Sequence, residues 1–393
     1  MTQVPRVLVL DAEQRSSLAA VRSLGRCGFV VSAASVQRAP LAGASRYVDE
    51  VLHTPDPAQD VDGWLAAVLR YVHQADCQFL LPMTDVSTML LAPLRQQLPA
   101  TCVLLCPPAE AYEALTDKAA LVERAVALGL SVPRTLQAVD AAQLRSAAAQ
   151  LGFPLVIKPS RSRYRLGNRV HGTSVQTVRN ATELEHLIGQ AHWLGPLRAL
   201  VQPWVDGHGA GVFALYGDHG PVAWFAHRRL REKPPSGGVS VLSESCTVDP
   251  HLRDLSQQLL SAVGWWGPAM VEYRVTPDGV PLLMEVNGRF WGSLQLSIDS
   301  GVEFPALLVQ LGQGASIALQ HHYRVGQRLR WLLGDLDNLL LQLRGRVAHG
   351  SRWAAIRRFV TSFSDTPCRQ EIWRAEDPKP AWREVGQWLG ALL

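Results

Sequence analysis

The chain has 393 residues, of which 47% are apolar and 18% charged, with 38 Lys plus Arg against 34 Asp plus Glu. This composition excludes a largely disordered chain, and a net charge of +4 is too small to indicate a nucleic-acid partner. No apolar run approaches the ~18 residues of a membrane span. The six cysteines lack zinc spacing, so we expect reduced thiols in a cytoplasmic protein.

The first part of the chain alternates short apolar runs with helical patterns, which predicts a parallel α/β sheet. Strands are expected at 6–10, 29–34, 79–83 and 103–105, and helices at 14–27 and 61–72. The chain after the first strand reads DAEQRSS, so this Rossmann-like layout lacks the glycine-rich loop that would predict NAD. Asp11, Thr84 and Asp85 should face the crevice at the strand ends, or alternatively cap helices and turns.

Hairpin signals replace this pattern in the middle of the chain. Apolar strands flank YGDHG at 216–220 and TPDG at 276–279, and Asp-Gly in such a position favours a hairpin turn. The last part of the chain is rich in Leu, Trp and Arg, with helical spacing at 332–343 and 382–389. We expect those helices to pack on the core, in preference to forming a basic surface that contacts a membrane or a lipid-linked substrate.

The second of these hairpins, residues 271–293, carries the most informative side chains. Strand alternation places Glu285 and Asn287 on one face, and the TPDG turn brings Glu272 toward them. Two carboxylates and an amide oxygen suit Mg²⁺, which completes its shell with substrate phosphates. Arg289 follows on the same face, where a guanidinium can hold a phosphoryl group or a carboxylate. The alternative is a solvent-facing hairpin with Glu–Arg pairs.

Two lysines stand where a phosphate-binding lysine is often found. Lys158 ends the apolar strand in LGFPLVIKPSRSR, and Lys118 begins a helix in ALTDKAALVERA. The strand or helix holds the stem of the side chain, and its ammonium group can meet a ligand. Either lysine taken alone also fits a solvated position.

The segment LVQPWVDGHGAG predicts a strand that is interrupted between two lobes. Gln202 ends the strand, Pro203 breaks its hydrogen bonding, and a glycine-rich turn follows. Backbone groups exposed there can pair with an adenine edge, with Trp204 and Val205 as apolar walls. An ordinary edge strand that ends at proline is the alternative.

The segment AHRRLREKPPSGGVSVLSES is basic and contains a Gly-Gly loop. Alternation along a strand places Arg229 and Arg231 on one face and Arg228 on the other. We expect Arg229 and Arg231 to bind a carboxylate substrate; the alternatives are a grip on the γ-phosphate or a solvated basic face.

In this order, the segments resemble the ATP-grasp superfamily, and within it the ligases related to carbamoyl-phosphate synthase and biotin carboxylase. The resemblance covers about residues 2–315. It implies an α/β plus α+β fold with a Rossmann-like (pre-ATP-grasp) domain at 1–111 and an ATP-grasp domain at 112–314, whose lid is about 120–195. A small, mainly helical C-terminal extension would follow at 315–393.

The resemblance also implies roles for the motif residues. These are metal binding by Glu272, Glu285 and Asn287, nucleotide binding by Lys118, Lys158, Gln202, Pro203, Trp204 and Val205, and catalysis by Arg289, Arg229 and Arg231.

The chain departs from the family pattern at two places. The loop after Lys158 is usually glycine-rich, but here it carries Arg161, Arg163, Arg165 and Arg169, which can offer guanidinium groups to phosphate or form a solvated lid surface. The acidic residue that often holds the ribose after the hinge is missing, and Asp206 is only a weak substitute.

The activity implied by the resemblance is ATP-dependent joining of a carboxylate to an amine. ATP and Mg²⁺, with Mn²⁺ as an alternative metal, would activate the acid as an acyl phosphate, which an amine then attacks. The expected partners are small-molecule carboxylates and amines, and the resemblance allows a homodimer. Two alternatives stay open: a bicarbonate-activating enzyme of the carbamoyl-phosphate synthase or carboxylase type, and a nucleotide-binding module without turnover.

Overall fold

The structure is a computed structural model that describes residues 4–235, 237–320, 322–345, 351–363 and 368–391. Over these residues the chain forms an N-terminal sheet, a small lid sheet with a separate two-stranded hairpin, and a large central sheet. Within this part of the chain, no helix has both the length and the apolar character needed to cross a bilayer. None of the six cysteines forms a disulfide.

The N-terminal sheet consists of five parallel strands, β1 (Arg6–Val9), β2 (Val30–Ser35), β3 (Val48–His53), β4 (Phe79–Leu81) and β5 (Val103–Leu104). Its helices are α1 (Arg15–Arg26), α2 (Val61–Gln74) and α3 (Asp85–Leu91). The strand order is β3-β2-β1-β4-β5. The order therefore reverses between β1 and β4, and a crevice opens at their carboxyl ends. The sequence pattern missed β3, because the edge strand VDEVLH is largely exposed and contains no apolar run.

The lid follows two helices, α4 (Ala109–Thr116) and α5 (Lys118–Ala127). Its elements are β6 (Leu136–Ala138), α6 (Ala141–Leu151), β7 (Leu155–Pro159), β8 (Arg163–Leu166), β9 (Arg169–Gly172), β10 (Gln176–Val178), α7 (Ala181–Gln190) and β11 (Ala199–Pro203). The lid sheet has the order β10-β7-β11-β6, and β8 and β9 form the separate hairpin. Apolar side chains of α6 and α7, including Leu144 and Leu184, pack on one face of the lid sheet against residues such as Ile157 of β7.

The central sheet has the order β16-β15-β12-β13-β14-β17-β18. The remaining elements are β12 (His208–Gly217), β13 (Gly220–Lys233), β14 (Val239–Cys246), α8 (Pro250–Ser261), β15 (Gly267–Val275), β16 (Pro281–Asn287), α9 (Leu294–Ser300), α10 (Phe304–Gly312), β17 (Arg328–Arg330), α11 (Leu332–Leu343), α12 (Arg352–Thr361), β18 (Cys368–Gln370) and α13 (Lys379–Gly390). Both predicted hairpins are confirmed as β12–β13 and β15–β16. Buried residues on the two faces belong to different clusters, with Val271 and Leu259 in one and Phe213 and Leu308 in the other.

The C-terminal part of the chain does more than add helices. The strands β17 and β18 extend the central sheet beyond β14. The same segment reaches the N-terminal sheet through Arg22 of α1, whose Nε lies 2.9 Å from Asp377 Oδ2. Ser45 Oγ and the Arg46 N–H also donate to Asp377, at 2.7 and 2.8 Å. These contacts hold the N-terminal domain and the central sheet together.

The lid hairpin is docked on the N-terminal domain. The Asn168 carbonyl accepts from the Val61 N–H at 3.0 Å, and its side chain contacts Asp60 and the Asp62 N–H at 3.0 and 2.8 Å. Val170 is buried among N-terminal core residues. The lid thus reaches over the crevice at the strand ends.

We predict that Asp377→Ala destabilises the protein by about 3–5 kcal/mol, because Arg22 would be left as an unpaired buried charge. Urea denaturation followed by tryptophan fluorescence measures the shift in midpoint. Glu376→Ala is the matched control, since this neighbouring acid is exposed. Equal shifts for the two variants would contradict the role given to the buried ion pair.

Candidate nucleotide and metal site

The candidate site lies between the lid sheet and the central sheet. The lid strand β11 ends at Pro203, and the first strand of the central sheet begins at His208. Residues 204–207 therefore link the two lobes, as the interrupted strand predicts. A ligand between the sheets can contact both lobes and the link.

The pairing of β15 with β16 places two carboxylates side by side. Glu272 is directly opposite Glu285, and Met270 is opposite Asn287. The Asn287 amide donates to Glu272 Oε1 at 3.2 Å and to Glu285 Oε1 at 3.4 Å. The structure thus brings together the three side chains expected to bind a metal.

The two carboxylates have different electrostatic environments. Burial and then the charge of Glu285 raise the pKa of Glu272. Burial opposes ionisation of Glu285 as well, but Lys118 and Lys158 more than offset it and lower the pKa of that carboxyl. Glu285 is therefore held ionised, whereas the proximity of the two acids favours a bound cation.

This donor set fits Mg²⁺ bound together with a nucleotide. The described residues contain no cluster of three or more His, Cys, Asp or Glu side chains that could hold a metal ion. Two carboxylates and one amide oxygen leave part of an octahedral shell to water and phosphate, which is how Mg²⁺ is usually bound. Glu272, Glu285 and Asn287 would hold the ion, and the ion would neutralise phosphate charge.

Both predicted lysines face these carboxylates. Lys118 Nζ lies 3.5 Å from Glu285 Oε2 and 3.0 Å from Ser162 Oγ. The Lys118 N–H donates to the Ser160 carbonyl at 2.7 Å, which joins the start of α5 to the end of β7. Lys158 lies on β7 and is only 7% exposed. Ser162 could not be identified from the sequence pattern, because its partner is 44 residues away.

The link between the lobes presents the four predicted hinge residues in order. Gln202 is buried and donates to Thr135 Oγ1 at 2.9 Å, whereas Trp204 is 48% exposed. Arg274 donates to the Val205 carbonyl at 3.3 Å. Asp206 accepts from the Trp204 indole N–H at 2.9 Å, so its carboxylate already has a partner. Ribose binding by Asp206 therefore has no geometric support.

Arg289 connects the metal-binding side chains to the N-terminal domain. Its guanidinium donates to Asn287 Oδ1 at 3.1 Å and to Asp85 Oδ2 at 3.3 Å. Burial disfavours its charge, but Asp85 and the two glutamates raise the pKa of Arg289 above its usual value. Thr84 caps α3. Thr84 and Asp85 also line the crevice. Thr84 therefore both caps a helix and faces the crevice, as the two alternatives from the sequence proposed.

The regular alternation expected for Arg229 and Arg231 is absent, because the register of β13 is irregular at Leu230, although both arginines line one cleft. The register of β13 against β14 shifts on both sides of Arg231. Arg229 Nη2 lies 2.9 Å from Oε2 of Glu272. Glu272 and Glu285, the two carboxylates expected to bind the metal, are called the metal pair below. Arg231 instead contacts Asp335 at 3.3 Å and Ser362 Oγ at 2.7 Å, in the C-terminal segment. Period-2 reasoning cannot anticipate an extra residue in the strand.

The four arginines of the lid loop differ in the residues that they contact. Arg161 pairs with Glu113 and Asp117, and Arg165 pairs with Asp62 at 2.9 Å. Arg163 lines the crevice, and Arg169 is exposed. Arg161 and Arg163 both line a small cavity beside Lys118 and Glu285, so both are placed to meet a ligand there, whereas the Arg165 contact ties the lid to the N-terminal domain.

Two clefts flank the metal pair. The N-terminal cleft, of about 420 Å³, is lined at the strand ends by Asp11, Glu13, Thr84, Asp85 and Arg289. The basic cleft, of about 520 Å³, lies between β13 and the C-terminal helices and is lined by Arg229, Arg231, Arg328, Arg358, Leu230, Leu339 and Phe359. The N-terminal cleft is lined by both acids and arginines, whereas arginines predominate among the charged residues of the basic cleft.

Two acids of the N-terminal cleft, Asp11 and Glu13, have no cationic partner among the described residues. Asp11 accepts from the Met83 N–H at 3.1 Å and from Ser87 Oγ at 2.5 Å, and Glu13 accepts from Ser35 Oγ at 2.6 Å. Neither acid pairs with Lys or Arg in the part of the chain that the structure describes. Burial, followed by the charge of Glu13, raises the pKa of Asp11 to about 6.

Comparison with known proteins agrees with this geometry. Residues 198–333 match a family model described as ATP-grasp in the biosynthetic pathway with Ter operon. The fold is similar to biotin carboxylase from Campylobacter jejuni, with a TM-score of 0.64 and 14% identity over 83% of this chain and 74% of that one. The chain has the ATP-grasp fold. The ATP-grasp fold that the resemblance implies is therefore confirmed.

Two further solved structures share the ATP-grasp fold. An N5-carboxyaminoimidazole synthetase from Staphylococcus aureus has a TM-score of 0.61 and 12% identity, over 82% of this chain and 80% of that one. An L-amino acid ligase from Bacillus licheniformis has a TM-score of 0.62 and 17% identity, over 81% and 76%.

A curated relative is more similar in sequence. The uncharacterized protein y4rH of Sinorhizobium fredii (strain NBRC 101917 / NGR234) is 30% identical over 256 residues. That match covers 60% of this chain and 49% of y4rH, so the chain spans about half the length of the curated relative it matches.

We predict that Glu285→Gln lowers ATP turnover by a factor on the order of one hundred or more, because it removes a metal ligand that stabilises transition-state charge. ADP release measured by a coupled assay tests this. Asp278→Asn is the control, since Asp278 is exposed in the turn of the same hairpin. Wild-type turnover in Glu285→Gln would show that the metal lies elsewhere.

Nucleotide affinity should depend on pH through Lys158. Burial, with a contribution from Lys118, lowers the pKa of Lys158 to about 8. The ammonium form, which attracts phosphate, dominates below that pH, so affinity for MgADP should fall as pH rises through about 8. Calorimetry from pH 7 to 9 measures this decline.

Two Lys158 variants are the controls for this pH dependence. Lys158→Arg should retain affinity up to pH 9 because a guanidinium stays charged, whereas Lys158→Met should bind weakly at every pH. The same decline in Lys158→Met as in the wild type would assign the titration to another group.

Proposed function

We propose that this protein is an ADP-forming carboxylate–amine ligase with Mg²⁺ and ATP as its cofactor and co-substrate. The observation that carries the proposal is the convergence of Glu272, Glu285 and Asn287 with Lys118 and Lys158, between a lid sheet and a central sheet. Nucleotide binding would use the lysines and the hinge from Gln202 to Val205. Mn²⁺ would replace Mg²⁺ with the same oxygen ligands.

The two clefts suit the two organic substrates of such a reaction. An acid entering the basic cleft would meet Arg229 beside the metal pair. An amine, which is cationic in water, would be favoured in the N-terminal cleft by Asp11 and Glu13. Arg289 lines that cleft and contacts Asn287, so the amine would approach the phosphoryl group from the opposite side.

Catalysis would depend mainly on fixed positive charge. An oxygen of the acid attacks the γ-phosphorus, ADP leaves, and the acid becomes an acyl phosphate. Arg229 and Arg289 orient the anionic groups, and the lysines stabilise the departing phosphate charge. The bound ammonium first gives up a proton to solvent. The neutral amine then attacks the acyl carbon, phosphate leaves, and the nitrogen loses a second proton. The lid would limit hydrolysis of the acyl phosphate.

A bicarbonate-activating enzyme is the second candidate, because the phosphate and metal groups needed are the same. The size of the basic cleft, about 520 Å³, favours an organic acid over bicarbonate. Localisation in the cytoplasm and a homodimer remain expectations that accompany the ligase proposal.

The proposal predicts acid-dependent formation of ADP with trapping of the acyl phosphate by hydroxylamine. The assay combines protein, MgATP, hydroxylamine and a panel of carboxylic acids, and it measures ADP and hydroxamate separately. We expect equal amounts of both products with at least one acid and little ADP without acid. ADP formation with bicarbonate alone would support the second candidate, and nucleotide binding without ADP formation in any mixture would indicate a binding module.

A further inference from the structure

The basic cleft is built jointly by the central sheet and the C-terminal helices. Ser362, which follows α12, accepts through Oγ from Arg231 at 2.7 Å and from Arg330 at 2.8 Å. Arg231 also lies 5.8 Å from the Phe359 ring. These contacts hold α12 against β13 and β17, so that α12 forms one wall of the cleft.

Guanidinium groups outnumber carboxylates around this cleft. Asp335 is fully buried and faces both Arg231, at 3.3 Å, and Arg330, at 3.6 Å. Glu244 is likewise shared between Arg228 and Arg328. Each of these two acids is divided between two arginines. Glu232, which lines the cleft, pairs with Arg229 at 3.1 Å, so four lining arginines face one lining acid and the excess of positive charge favours an anionic ligand.

The cleft also has apolar lining residues, which lie among the arginines on β13, α11 and α12. They include Leu230, Leu339, Ala355 and Phe359, and the Phe359 ring packs against Phe363 at 5.3 Å between centroids. A cleft of about 520 Å³ that mixes arginines with aliphatic and aromatic side chains does not match a small hydrophilic acid. Such a mixture favours a ligand with one anionic end and an apolar body.

The orientation of such a ligand follows from Arg229. Arg229 lines the cleft, and its guanidinium also contacts Glu272 of the metal pair. The carboxylate to be activated must lie at this end, near the phosphates, and the body of the acid then extends toward α11 and α12.

We propose that the acid substrate carries an apolar aliphatic or aromatic body and that α11 and α12 form the pocket that selects it. This inference rests on the proposed ligase function and adds its substrate class. Arg358 and Phe359 of α12 are the specificity residues, the former through its charge and the latter through apolar contact. The C-terminal segment thereby contributes directly to substrate binding.

The test compares acetate with 3-phenylpropanoate in the full-length protein, using MgATP and hydroxylamine. We expect the KM for 3-phenylpropanoate to be about ten- to a hundredfold below that for acetate, because burial of a phenyl group contributes that much to binding. Phe359→Ala should raise the KM for 3-phenylpropanoate about tenfold relative to that for acetate, and the KM for ATP should stay unchanged. Trp353→Ala is the matched control, since this aromatic residue of the same helix is 79% exposed and outside the cleft.

Charge is tested in the same way with neighbouring arginines. Arg358→Gln should raise the KM for 3-phenylpropanoate about twofold, as expected for loss of a positive charge that attracts the anion without contacting it, and Arg358→Lys should restore it. Arg357→Gln, one residue away and outside the cleft, should have no effect. Thermal melting of each variant verifies that it is folded.

The outcomes separate this inference from the ligase proposal. Turnover with organic acids, but with equal KM values for acetate and 3-phenylpropanoate, would overturn the inference and leave the ligase function intact. Equal effects of Phe359→Ala and Trp353→Ala, or of Arg358→Gln and Arg357→Gln, would do the same. Turnover with bicarbonate and with neither organic acid would overturn both.

Discussion

The arrangement of the candidate site depends on two carboxylates that a strand pairing forces together. The pairing of β15 with β16 places Glu272 opposite Glu285, and two acids so close cannot both be ionised without compensation. Neighbouring cations compensate part of this negative charge, with Arg229 beside Glu272 and Lys118 beside Glu285. A divalent cation would compensate the rest. The cations that compensate the acids in the free protein are the same groups that would hold anionic substrates during turnover.

This dependence explains why the site draws on every layer of the fold. Lys118 comes from a helix that precedes the lid, Lys158 from the lid sheet, and Arg229 from the centre of the main sheet. Asp85 of the N-terminal domain reaches the same network through Arg289. The buried pair of Arg22 and Asp377 then links that domain to the C-terminal segment. A change in the relative position of these parts would separate the charges that stabilise one another.

The sequence predicted the features that are set by local chemistry. Asp-Gly in TPDG and the spacing of Glu285 and Asn287 specify a hairpin with polar groups on one face, and the structure contains it. Lys158 and Gln202 were singled out because each ends an apolar strand, and Lys118 because it begins a helix. The family's known order of motifs then joined these separate segments into one site.

The features that were missed depend on contacts between distant parts of the chain. The bulge at Leu230 gives Arg229 and Arg231 different contact partners, although a regular strand would place both side chains on one face. The strands β17 and β18 are only three residues long, and they exist because β14 offers a free edge. Docking of Val170 on the N-terminal domain brings together surfaces that no local pattern connects.

The central claim is that Glu272 and Glu285 bind a metal together with the phosphates of a nucleotide. The most direct measurement is a crystal structure with MnADP, in which anomalous scattering locates the Mn²⁺ ion. Our account predicts one strong anomalous peak in contact with both carboxylates and a phosphate oxygen, with Lys158 near the phosphates. Nucleotide bound between the sheets with its metal away from Glu272 and Glu285, or nucleotide bound outside this cleft, would contradict the account.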